Sequence, residues 1–199
     1  MIINSEILCP KSWKILFLLE EYKIPYTLKE QKLSNNYNPI INNNSDFSYI
    51  LTNLSQFMHT HEELTIYGNW INIIECNLIP LIILPIRRER VINPLINRIY
   101  TNLDILKEKR NLLKTELIFF AKHFQNHEWI TNTFSIIDIT LASSIAILDY
   151  LGEIPWKEIE LKELYHWHSK IKSKKSFQII LKQSCPGIAP HSNFKKIDF

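Results

Sequence analysis

Residues 9–12 read Cys-Pro-Lys-Ser, and an apolar helical pattern begins at once. A thiol at a helix N-terminus faces unpaired backbone amides and the positive end of the helix dipole, both of which favour a thiolate. Lys11 and Lys14 would add positive charge to that environment. Ser12 offers a second candidate nucleophile in the first helical turn. Both side chains also have a structural reading, Cys9 as a small buried apolar residue and Ser12 as an ordinary first-turn residue.

The other chemistry-bearing residues are histidines. His59-Thr60-His61-Glu62-Glu63 could hold a metal, but no third ligand stands nearby, and the stretch reads as a solvated loop. His123 and His127 have i,i+4 spacing without the intervening Glu of a metallohydrolase motif, which suits a helix C-terminus complementing its dipole. His166 and His168 flank Trp167, point to different faces of a helix, and read as surface residues. No metal site is expected.

Three cysteines (Cys9, Cys76, Cys185) without CxxC spacing indicate a reducing compartment, with the cytoplasm as the expected location. A chain of 199 residues, 46% hydrophobic and 22% charged with formal charge +3, has enough apolar content for one large domain or two small ones. It carries no basic tract of the kind that follows a phosphate backbone, so nucleic-acid binding is not expected. The longest apolar run, residues 78–86, contains two prolines and falls short of the roughly 20 residues of a membrane span. The first residues, MIINSE, lack the pattern of a secretion signal.

These residues must be positioned by two kinds of chain. Up to about residue 79 the pattern is mixed. Ile2-Ile3 reads as a first strand, residues 10–22 as a buried helix with Pro10 at its favoured first position, and residues 25–33 as a strand. Residues 35–44 have loop chemistry, and the runs 47–51 and Leu64-Thr65-Ile66-Tyr67 suggest a hairpin. From residue 86 the periodicity is helical, with Pro94 expected to bend or start a helix. At Phe134-Ser135-Ile136-Ile137-Asp138, Ser135 can cap a helix while Asp138 reaches back, with Phe134 and Ile139 as a hydrophobic staple. The buried-looking ITLASSIAILDYL follows. The expected division is an α/β domain over residues 1–79 and an all-α domain over 86–199, ending in an extended tail from 185.

A mixed β/α half with Cys-Pro-x-Ser at its first helix, followed by a helical half with Ser-x-x-Asp before a long central helix, resembles the cytosolic glutathione S-transferase superfamily. The resemblance covers nearly the whole chain. It implies a thioredoxin-like N-terminal domain, an all-helical C-terminal domain and a homodimer. It also implies a glutathione site with three elements: a thiol or hydroxyl at the first helix, a cis-proline before the third strand, and an acidic-Ser pair. Aligning Asp46-Phe47-Ser48-Tyr49-Ile50 with the family pattern puts Ser48 in the proline's place. Around Ile66-Tyr67-Gly68-Asn69-Trp70 no acidic-Ser pair appears, although Asn69 could cap a helix. The implied site is degenerate near Ser48 and Asn69, and no cofactor is expected unless glutathione still binds.

Within the superfamily, three C-terminal segments resemble the transferase-like cell-division proteins of alphaproteobacteria that bind FtsZ. They are Asp149-Tyr-Leu-Gly-Glu-Ile-Pro-Trp156, His166–Phe177 and the ending Pro186–Phe199. That resemblance implies a non-catalytic protein binding FtsZ filaments at the division site. The alternative is a glutathione-dependent thiol transferase or glutathione S-transferase using Cys9 or Ser12. The tail has two readings. Phe194, Lys195, Lys196, Asp198 and Phe199 form a docking edge for the partner, or the tail is a strap over the helical domain with Phe194, Ile197 and Phe199 each buried singly. The basic residues Arg87-Arg88-x-Arg90 read as the exposed start of a helix; they oppose its dipole at that end, and the alternative is a patch for an acidic partner.

Replacing Ser135 with Ala should lower stability by about 1 kcal/mol. A denaturation midpoint that does not move would show that the cap contributes nothing.

Overall fold

The computed structural model describes residues 2–34, 40–41 and 61–197. Strands β1 (Ile2–Glu6) and β2 (Thr27–Lys32) run parallel, connected by helix α1 (Pro10–Glu21). Strand β3 (Ile40–Ile41) pairs antiparallel with β1, giving the order β2-β1-β3. Residues 40–41 were expected in a loop. The open edge of β1 carries peptide groups that need partners, and a short apolar pair supplies them. Residues 47–51 lie outside the described residues.

The run 64–67 is helical rather than a strand. It belongs to a long helix α2 (residues 61–97), which is α-helical over His61–Asn72 and Leu84–Arg87 and π-helical over Ile73–Ile83 and Arg88–Asn97. β-propensity at 64–67 is a weak preference, and the apolar stripe Tyr67, Trp70, Ile71, Ile74, Leu78 continues the same helix into the core. Pro80 and Pro94 fall inside the two π-helical segments. Each removes an N–H donor and crowds the preceding turn, and wider i→i+5 pairing is one way for a helix to absorb that. α2 passes without a break through residues 79–86, where the change of composition suggests a division. By length and composition Tyr67–Asn97 could cross a membrane. Its inner face, with Ile74, Leu78, Ile82, Ile83 and Ile86, is spent on the protein core.

Helix α3 (Leu103–Phe124) starts at Asn102, whose side chain accepts from the amides of Asp104 and Ile105. Helix α4 (Ile136–Leu151) starts at a capping box. Ser135 Oγ accepts from Ile137 N–H at 3.2 Å, and Asp138 Oδ2 accepts from Ser135 N–H at 3.0 Å. Every residue of α4 is buried. Its hydroxyls donate to carbonyls one turn back, Thr140 to Ile136, Ser143 to Ile139 and Ser144 to Thr140, so none of these three groups is left open in the core. α4 ends at Gly152, in the left-handed region at φ 70°, where an added Cβ would stand 2.7 Å from the His191 ring. Helix α5 (Lys162–Ser173) and the short α6 (Gln178–Leu181) complete the helical part.

The tail is a strap. Tyr150 Oη accepts from Cys185 N–H and donates to Ile188 O, each at 2.8 Å, while Tyr150 O accepts from His191 N–H at 2.8 Å. Lys172 Nζ donates to Asn193 O at 2.9 Å. Phe194 is fully buried, with its ring 5.0 Å from Tyr150 and 6.1 Å from Trp13 of α1. The docking reading of Phe194 is therefore corrected: burying the ring between two aromatics is more favourable than leaving it in water. Lys195 and Lys196 are exposed, and Asp198 and Phe199 lie outside the described residues.

Phe194→Ala should destabilise the fold by about 3–5 kcal/mol. Lys195→Ala should shift it by no more than about 0.5 kcal/mol. Chemical denaturation of both variants checks this, and equal midpoints would show that the strap does not hold the fold.

Candidate functional site

The turn between β1 and α1 places the two candidate nucleophiles. Leu8, fully buried, takes a left-handed backbone at φ 52°, a conformation costing about 1–2 kcal/mol for a residue with a Cβ. It turns the chain so that Cys9 becomes the N-cap residue of α1, followed by Pro10 at the first helical position. The structure thus brings Cys9 and Ser12 together, but facing inward.

Cys9 is fully buried. Burial pushes its thiol above the ordinary range, and the opposing pull of Ser12 and Arg87 does not reverse that. The activated-thiolate expectation is corrected accordingly, because a helix N-terminus favours a thiolate only where desolvation does not outweigh it. Ser12, also buried, accepts from Glu6 N–H at 2.9 Å and ties the helix to the end of β1. Lys14 is buried and turned away into an ion pair with the half-buried Glu75 of α2. Burial lowers its pKa, against the pull of Glu75. Beside this turn lies Arg87, fully buried, whose Nη2 donates to Ile7 O and Ser34 O at 3.1 Å. Its guanidinium holds the ends of β1 and β2 against α2, with Glu6 at 3.8 Å.

Of the other expected ligand residues, Ser48 lies outside the described residues. Asn69 is exposed in the middle of His61–Asn72, so it caps nothing, since the helix begins upstream of it. Asp138 sits deep in the helical half. It accepts from Ser135, Ile130 N–H and Trp167 Nε1, and burial raises its pKa against those bonds. Among the described residues no group of three His, Cys, Asp or Glu is placed to hold a metal. His123 and His127 stack with ring centroids 4.4 Å apart, and His123 Nε2 bonds Ile130 O at 3.1 Å.

Sequence reasoning missed a buried polar cluster at the end of α4. Asp149 accepts from Trp156 Nε1 at 2.7 Å and from Lys172 Nζ at 2.6 Å, with His168 Nε2 3.4 Å away. Burial would raise the Asp149 carboxyl, but His168 and Lys172 outweigh it and hold it down at about 2. His168 is buried, which corrects its reading as a surface residue: beside the inward-facing Trp167, the i,i+2 pair can expose only His166. Burial lowers its pKa and favours the neutral ring. The signal available in the sequence was Asp149 seven residues before Trp156, with Lys172 one helical turn after His168. The cluster is structural in its contacts, since Lys172 also holds the strap through Asn193 O.

No protein-family model matches the chain. Over 99 residues, 49% of this chain, it is 29% identical to FtsZ-localized protein A of Caulobacter vibrioides. That match takes in 42% of the relative's length. Among solved structures, FzlA from C. crescentus superposes with a TM-score of 0.84 at 18% identity, over 100% of this chain and 99% of that one. Glutathione S-transferases from Rhodospirillum rubrum and Sinorhizobium meliloti each give a TM-score of 0.85 at 16% and 18% identity, with the same coverage. The chain has the glutathione S-transferase fold, a thioredoxin-like first part with a helical second part.

At pH 7 iodoacetamide should label exposed Cys76 at least roughly tenfold faster than Cys9, whose raised pKa keeps it protonated. Peptide mass spectrometry over time checks this. Fast labelling of Cys9 that glutathione protects against would reopen the thiol site.

Proposed function

We propose that this protein works in bacterial cell division by binding FtsZ filaments, on a transferase scaffold that does no glutathione chemistry. The observation that carries the second half is the closed turn at Cys9. Its thiol is buried and held protonated by desolvation, and the Ser12 hydroxyl is committed to the backbone of β1. Neither group is presented to a soluble thiol. The first half is supported by the likeness to FtsZ-localized protein A in sequence and to FzlA in fold. The reading includes a homodimer in the cytoplasm that gathers at the division site.

Co-sedimentation with polymerised FtsZ tests it. The protein should pellet with filaments and stay in the supernatant without them. A protein that ignores filaments, or one that is retained on glutathione resin and turns over chloro-dinitrobenzene, would overturn the proposal. Sedimentation velocity reads the dimer separately.

A further inference from the structure

Two arginines from different helices converge on one carboxylate just beyond α4. The Glu153 side chain is 1% exposed. It accepts a two-pronged bond from Arg110 of α3, Nε at 2.6 Å and Nη2 at 3.0 Å, and a single bond from Arg90 Nε of α2 at 2.9 Å. Arg90 Nη2 also donates to Leu151 O at 3.3 Å. Two guanidiniums on one carboxylate leave a surplus positive charge. The arginine side chains are 41% and 47% exposed, so the charge is presented to solvent. A guanidinium has five N–H donors, and these contacts use two of each. The inner carboxylate fixes the orientation of both, which lowers the entropy an incoming anion must remove.

Arg110 and Glu153 line an open cleft of about 340 Å³ whose other walls include Leu113, Lys114, Leu117, Ile154 and Pro155. On α3, Leu103, Lys107, Arg110 and Lys114 recur at spacings of four, three and four residues and so share one face. That face begins at Leu103, which is 73% exposed, and leads back to the loop 98–102, where Tyr100 is 99% exposed. The loop is buttressed from inside. Buried Glu89 accepts from Asn102 N–H at 2.8 Å and Asn93 Nδ2 at 3.0 Å, and its backbone carbonyl accepts from Thr101 Oγ1 at 2.9 Å. An aromatic held out in water by a preformed loop is the usual composition of a protein-contact anchor. The acids facing the track are Glu158 and Glu160, which pair with Lys114 at its far end, and Asp104 and Glu108 on α3. None of them contacts the arginine pair among the described residues.

From Leu103 to Leu117 the track is roughly 21 Å long, at 1.5 Å per helical residue. That is the span of about six extended residues, which suits a polypeptide better than a small anion. The geometry points to this face as the docking site for an acidic segment of the filament-forming partner. A carboxylate seats on the Arg90–Arg110 pair, an adjoining apolar side chain enters the cleft, and Tyr100 and Leu103 anchor the outer end. The assignment rests on the proposed binding of FtsZ and places a contact on α2 and α3.

The test is co-sedimentation with polymerised FtsZ at increasing salt. The triple variant Arg90→Gln/Arg110→Gln/Glu153→Gln removes the charges together, so that no buried carboxylate is left uncompensated. Tyr100→Ser changes a side chain that lies wholly in solvent. Each should weaken filament binding at least tenfold, while Lys29→Glu on β2 stays within twofold of the parent. Binding by the parent should fall as salt rises. A parent that pellets while both variants bind equally well overturns the docking site and leaves FtsZ binding standing. A parent that never pellets overturns both. If the triple variant does not melt cooperatively, Lys107→Glu takes its place beside Tyr100→Ser and is judged by the same criterion.

Discussion

A helix buried along all sixteen residues has to be covered on every side, and α4 sets that requirement for the rest of the chain. α1 lies along it, carrying Trp13, Phe17 and their apolar neighbours. α2 contributes its inner isoleucine face, α5 brings Trp167 onto Asp138, and the strap closes the last side with Phe194. The first part of the fold is thus held to the second through one shared core. The polar atoms on α4 are tolerated because each has a partner close by: hydroxyls bond within the helix, Asp138 seals its start and Asp149 its end.

The same demand explains why the first-helix motif faces inward. In an open site, a helix N-terminus and nearby lysines would stabilise a thiolate at Cys9. Here the turn at Leu8 folds Cys9 against the core, Lys14 is spent on Glu75, and desolvation outweighs the dipole. The motif keeps its geometry as a junction between β1 and α1. Ser12 and Arg87 hold that junction to the strand end and to α2.

Some of this was legible in the sequence because the groups concerned are neighbours in the chain. The cap at α4 is made by Ser135 and Asp138, three residues apart, and Pro10 marks the start of α1. The two-part fold was readable from the change in hydrophobic period and from the resemblance those motifs carry. The run 64–67 misled because its β-branched residues express a weak local preference that the longer helical stripe overrides. Ile40-Ile41 misled because loop-like flanks hid a pair that an open strand edge could recruit.

By itself, then, the sequence determined what depends on local spacing: the cap and the buried character of α4, and the start of α1 at Pro10. The tertiary structure alone decided which polar and aromatic groups meet across long separations. Phe194 reaches Trp13, Glu153 gathers Arg90 and Arg110, and His168 turns inward to Asp149. A thiol's reactivity and an aromatic's availability depend on solvent access, and access depends on what the rest of the chain places over a residue. Local spacing carries no record of that.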